Sequence, residues 1–71
     1  MTPFDIELIR TYAECDMSLS ETGKRLYIHK NTVVYHFEKI EKKTGLNPRT
    51  FSGLTELLSR IEKGEAHEKA D

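Results

Sequence analysis

Apolar residues recur along this chain at intervals of three and four positions, a period that predicts α-helices with one buried face each. The first apolar stripe consists of Phe4, Leu8, Ile9 and Tyr12. Pro3 suits the first turn of a helix, and Thr2 before it suits the N-cap. The pattern therefore predicts a first helix over residues 3–14.

The last apolar stripe is wider than a surface helix normally carries. It consists of Phe51, Leu54, Leu57, Leu58 and Ile61. Thr50 is a suitable N-cap before it, and Gly64 ends the periodic pattern. We predict a helix over residues 51–63 that packs on the first helix, on the third helix or on a partner chain.

Two further helical patterns lie between these stripes. Ser18 and Glu21 have the spacing of a capping box, which predicts a helix over residues 19–26. The next pattern covers residues 30–43, and Gly45 follows it as a typical C-terminal glycine. The sequence thus predicts an all-α fold, a small helix-turn-helix domain of about four helices.

Gly23 lies inside the helix predicted over residues 19–26. Glycine in a helix interior costs roughly 1 kcal/mol relative to alanine. Close approach of the next helix would explain its presence, and Ile28 is expected to fill the angle between the two helices.

Only residues 27–29 separate the two central helices. So short a turn predicts a steep crossing, as in the helix-turn-helix motif, whose second helix enters the major groove of DNA. The helical period places Val33, Phe37 and Ile40 on the buried face of this second helix. Its outward face is centred on Asn31 and Tyr35.

The candidate DNA-binding residues lie around the turn and along this outward face. Lysine can bond to guanine or phosphate, asparagine to adenine, and glutamate to the cytosine amine, while valine can contact the thymine methyl group. For Tyr35, contact with DNA and packing on a neighbouring side chain are both open. The candidate set is Ser18, Ser20, His29, Lys30, Asn31, Thr32, Val34, Tyr35, Glu38 and Lys39.

The net charge of −1 conceals a strong segregation of charge along the chain. Residues 1–23 carry five acids and one base, whereas residues 24–43 carry six bases and two acids. Residues 44–71 carry four bases and five acids. Because local charge governs attraction to phosphates, the positive segment coincides with the predicted DNA-binding helix.

A chain of 71 residues corresponds to one small domain, which we place at residues 1–63, followed by a polar tail at residues 64–71 that is expected to be disordered. Cys15 is the single cysteine, so no disulfide can form within the chain. The chain has neither a signal-peptide core nor a membrane-spanning apolar run. We expect a soluble, cytoplasmic protein without a membrane association.

An enzyme is not expected, because the sequence lacks a glycine-rich phosphate loop and a nucleophile–base pair. No cofactor or small-molecule site is evident. His29 and His36 have no third ligand nearby, so no metal site is expected. The alternative function is a protein–protein interaction or dimerisation module that does not bind DNA. A homodimer would be compatible with either function.

The central segment is similar to the C-terminal helix-turn-helix domain of the PucR/CdaR family of bacterial regulators, which includes purine-catabolism and sugar-diacid regulators. The resemblance spans about residues 5–62 and implies sequence-specific binding of double-stranded DNA by a transcriptional regulator. The matching positions are Leu19, Ser20, Thr22, Leu26, Ile28, His29, Lys30, Asn31, Thr32, Val33, Tyr35, Phe37, Lys39, Ile40, Glu41, Thr44, Gly45 and Leu46.

Three positions depart from the family pattern. Gly23 stands where alanine is usual, whereas Val34 and His36 stand where relatives often carry a basic residue. The last two changes remove positive charge from the predicted DNA-binding helix. In the family this domain usually ends a longer regulator with an effector-sensing part, so the chain is expected to be either such a domain or a stand-alone protein.

Overall fold

Four helices account for the fold, and each begins at a side-chain cap. The computed structural model describes residues 1–64. The helices are α1 (Pro3–Glu14), α2 (Leu19–Leu26), α3 (Lys30–Thr44) and α4 (Phe51–Glu62). The predicted all-α class and all four helices are confirmed, with α3 one residue longer and α4 one residue shorter than expected. The predicted tail, apart from Gly64, lies outside the described residues.

Capping explains why the helix starts were predictable. Thr2 and Asp5 form a reciprocal capping box, in which the backbone N–H of each donates to the side chain of the other at 3.1 Å. Ser18 accepts the Glu21 N–H at 3.1 Å, but only this half of the predicted box forms. The Glu21 carboxylate lies 3.7 Å from the Lys24 ammonium instead, because the two side chains share an exposed helix face.

α1 is the centre of the packing, because it contacts each of the other three helices. Contact on several sides requires a wide buried arc, which includes Ile6 in addition to the predicted Leu8, Ile9 and Tyr12. The predicted member Phe4 lies at the rim of the core, 36% exposed, with its ring edge against His36 at a centroid distance of 5.0 Å.

The buried face of α3 holds this helix firmly against α1. Val33, Phe37 and Ile40 are all buried as predicted. The rings of Phe37 and Tyr12 meet edge to face with centroids 4.8 Å apart. Burial raises the pKa of Tyr12, an effect that the positive charge of Arg49 partly opposes. The same contacts leave the opposite face of α3 exposed.

α4 covers another side of α1, as one of the predicted alternatives required. Leu54, Leu57 and Ile61 enter the core. Phe51, which was predicted to belong to the stripe, is 75% exposed. Phe51 is the first residue of α4, where side chains are tilted toward the N-terminal end of the helix.

Candidate nucleic-acid interface

The turn between α2 and α3 is fixed by backbone hydrogen bonds. Tyr27 takes the left-handed conformation (φ 61°, ψ 39°) that ends α2. Its N–H donates to the Lys24 carbonyl at 3.3 Å, and the Ile28 N–H donates to the Gly23 carbonyl at 2.9 Å. This pair of bonds is a Schellman motif, which reverses the chain within one residue and sets the direction of α3.

Gly23 permits this turn because the chain passes directly over it. A Cβ atom at Gly23 would lie 2.5 Å from the Ile28 carbonyl oxygen and 3.3 Å from the Lys30 nitrogen. The predicted close approach therefore exists, and its nearest element is the turn rather than the body of α3. Even alanine, the usual residue in the family, would require the turn to move here.

His29 begins α3 in the predicted N-cap position. Its Nδ1 atom accepts the Asn31 N–H at 3.0 Å. Within this arrangement the remaining ring nitrogen, Nε2, is the atom that could contact a ligand. The Ser18 hydroxyl oxygen is likewise engaged in a hydrogen bond, since it accepts the Glu21 N–H at the start of α2.

The outward face of α3 presents most of the remaining candidates to solvent. Thr32 and Val34 are half-buried, and the others on this helix are exposed. The exposed set is Lys30, Asn31, Tyr35, Glu38 and Lys39. The structure thus places these candidates on one surface that begins at the turn.

Tyr35 is packed on its neighbours but still accessible. Its ring lies against His36 at a centroid distance of 5.6 Å, and the Lys39 nitrogen lies 5.3 Å from the ring centroid. The side chain is nevertheless 55% exposed. Packing is therefore present, and it leaves a restrained aromatic surface available at the centre of the outward face.

A shallow concavity of about 520 Å³ brings residues of α2 and the turn beside the start of α3. Its lining includes the candidates Ser20, His29 and Lys30, together with two residues that sequence reasoning left out of the set, Lys24 and Tyr27. Lys24 belongs to the positive segment, which was an available signal. Tyr27 gave none, because its exposure depends on the conformation of the turn.

Positive charge is exposed along this side of the molecule. Lys24 and Arg25 take part in ion pairs, and the Arg25 Nη1 atom lies 3.0 Å from Glu14. Such exposed pairs are weak. Within residues 1–64, Lys30, Lys39, Lys42 and Lys43 are exposed and form no ion pair. Residues 1–64 contain no cluster of three metal-ligating side chains. No helix in this part of the chain has the length and apolar character needed to cross a membrane.

The tight turn, the buried face of α3 and the charged face opposite it define a helix-turn-helix domain. Comparison with protein families matches residues 6–62 to the PucR C-terminal helix-turn-helix domain. The chain belongs to this family of transcription-regulator domains, which confirms the resemblance inferred from the sequence.

A curated relative supports the same assignment. The chain is 45% identical over 40 residues to the purine catabolism regulatory protein of Bacillus subtilis (strain 168). The match covers 56% of this chain and 8% of the relative. No solved structure gave a significant match.

Proposed function

We propose that this domain binds double-stranded DNA sequence-specifically, as the DNA-binding part of a bacterial transcriptional regulator acting in the cytoplasm. The observation that carries the proposal is the division of α3 into two faces. Val33, Phe37 and Ile40 fix the helix in the core, and the face opposite carries exposed polar and aromatic side chains. A helix held in this way can enter a groove without loss of its packing.

In this proposal the N-terminal half of α3 contacts base edges in the major groove. Asn31 is suited to adenine and Lys30 to guanine or a phosphate. Half-buried Val34 offers methyl groups to thymine, and exposed Glu38 can accept a bond from the cytosine amine. Thr32 and Lys39 are assigned to backbone phosphates.

We assign the remaining candidates to contacts with the DNA backbone. The free Nε2 atom of His29 is suited to a phosphate, since Nδ1 is occupied by the Asn31 N–H. Ser20 is exposed beside the turn. The hydroxyl oxygen of Ser18 accepts the Glu21 N–H. We therefore assign Ser18 an indirect role, in which this cap holds the start of α2 beside the DNA backbone. Tyr35 is assigned to a sugar edge.

Salt dependence distinguishes DNA binding from the alternative of a protein-interaction module. Four exposed lysines of α3 form no ion pair within residues 1–64. They predict that the logarithm of the association constant falls with the logarithm of salt concentration, with a slope of about −2 to −4. Fluorescence anisotropy of a labelled duplex at several salt concentrations measures this slope. An absence of binding at micromolar protein and low salt would instead favour the interaction module.

A further inference from the structure

Tyr27 occupies a backbone conformation that is unfavourable for its residue type. Its φ of 61° lies in the left-handed region, where a side chain crowds the following carbonyl and glycine is preferred. The tyrosine side chain is 93% exposed, so almost none of this cost is recovered by burial. A strained and exposed aromatic residue at a turn suggests a contact outside the chain.

The surroundings of Tyr27 have the chemistry of a site for a sugar–phosphate segment. The concavity at the turn is lined by Lys24, Lys30 and Ser20, whose side chains end in ammonium and hydroxyl groups. These groups can donate to phosphate oxygens, and the apolar surfaces of Tyr27 and Ile28 can pack against a deoxyribose. A site for a free anion would not need these apolar surfaces.

The position of the concavity also fits a DNA strand. It adjoins the first residues of α3, His29 and Lys30. If the start of α3 enters the major groove, a strand that borders the groove must pass beside this end of the helix. The Lys24–Glu21 pair does not prevent the contact, since both side chains are largely exposed and separated by 3.7 Å.

We propose that the concavity formed by Ser20, Lys24, Tyr27 and Lys30 holds one sugar–phosphate segment of the DNA backbone and so sets the register of α3 in the groove. The proposal rests on the function proposed above. A contact of this kind carries no base preference, so it should strengthen binding to cognate and unrelated duplexes alike.

Tyr27→Gly separates binding from folding. Glycine relieves the left-handed strain, so the midpoint of thermal unfolding is expected to be unchanged or higher than in the wild-type chain. Affinity is expected to fall by roughly tenfold on cognate and unrelated duplexes, because the variant loses the packing of one large side chain against the deoxyribose. Calorimetric unfolding and fluorescence anisotropy provide the two measurements.

Lys24→Gln tests the phosphate contact itself. Its salt slope is expected to be smaller than that of wild type by about one, whereas Lys63→Gln, an equal loss of charge on an exposed residue at the end of α4, should leave the slope unchanged. A second measurement replaces single phosphates of the duplex by neutral methylphosphonates. At one phosphate that borders the groove, the replacement should weaken binding by the wild-type chain and leave the affinity of Lys24→Gln unchanged.

The outcomes are distinguishable. Wild-type affinity for both duplexes in Tyr27→Gly, or a Lys24→Gln slope equal to that of wild type, overturns the turn site and leaves the proposed DNA binding intact. A loss of affinity for the cognate duplex alone would also overturn it, because that result indicates a base contact. Failure of the wild-type chain to bind any duplex removes both proposals.

Discussion

Replacement of Lys30 and Asn31 together by alanine is expected to weaken specific duplex binding by about 1–3 kcal/mol, a loss of roughly 5-fold to 150-fold in affinity. Both side chains are exposed at the N-terminal end of α3, where base edges would be closest. The expected loss is greater for the preferred sequence than for unrelated DNA. Anisotropy titrations with both duplexes measure the difference.

A matched control for this double variant lies at the two ends of α4. Lys63→Ala combined with Ser52→Ala removes the same charge from exposed positions outside α2, the turn and α3, and should bind with wild-type affinity. Circular dichroism should show both double variants folded, since none of the four side chains is buried. Unchanged affinity of the Lys30 and Asn31 variant for the preferred duplex would show that bases are contacted elsewhere.

Gly23→Leu is expected to destabilise the fold by about 3 kcal/mol. A Cβ atom there would lie 2.5 Å from the Ile28 carbonyl oxygen, so the turn must move before the rest of the leucine is accommodated. This cost is a large part of the roughly 4–10 kcal/mol typical of a domain with 71 residues. Urea unfolding followed by circular dichroism measures the change.

Two further variants locate the origin of this cost. Ser20→Leu places the same side chain on an exposed position of α2 and is expected to change stability by less than about 0.5 kcal/mol. Gly23→Ala retains the crowded Cβ without the rest of the leucine side chain, so its stability should fall between those of wild type and Gly23→Leu. A stability for Gly23→Leu equal to that of Ser20→Leu would contradict the close approach.

The helices were predictable because their signals are local. Thr2, Ser18 and Thr50 each accept a backbone N–H at the start of a helix, and Gly45 ends α3 in the left-handed conformation. Such signals require only a few neighbouring residues. The division of α3 was predictable for a similar reason, since the period of a helix fixes which side chains share a face.

Features that depend on tertiary packing were harder to predict from the sequence. Ile6 is buried because α1 is covered on several sides, whereas Phe51, the first residue of α4, is exposed. Gly53 has no distinctive sequence signal, yet a Cβ atom there would overlap the Asn47 carbonyl oxygen. One helix pattern cannot show how the turn before α4 folds over it.

The candidate DNA-binding surface also contains residues that the sequence predicts and residues that only the structure brings to it. The sequence alone indicated Lys30, Asn31 and Tyr35, because they lie on the face opposite the apolar stripe. Lys24 and Tyr27 join that surface only through the turn, whose left-handed residue is a tyrosine rather than the usual glycine. A turn residue outside its usual type gives no sequence signal for its conformation.

Selection of bound sequences from a random duplex pool tests the central proposal most directly. The wild-type chain is expected to enrich a short preferred sequence that the Lys30 and Asn31 double-alanine variant fails to enrich. If a dimer binds, the preferred sequence should be two-fold symmetric, with half-sites about one helical turn apart. A pool that remains random after repeated rounds at low salt, with the protein folded, would contradict sequence-specific DNA binding by α3.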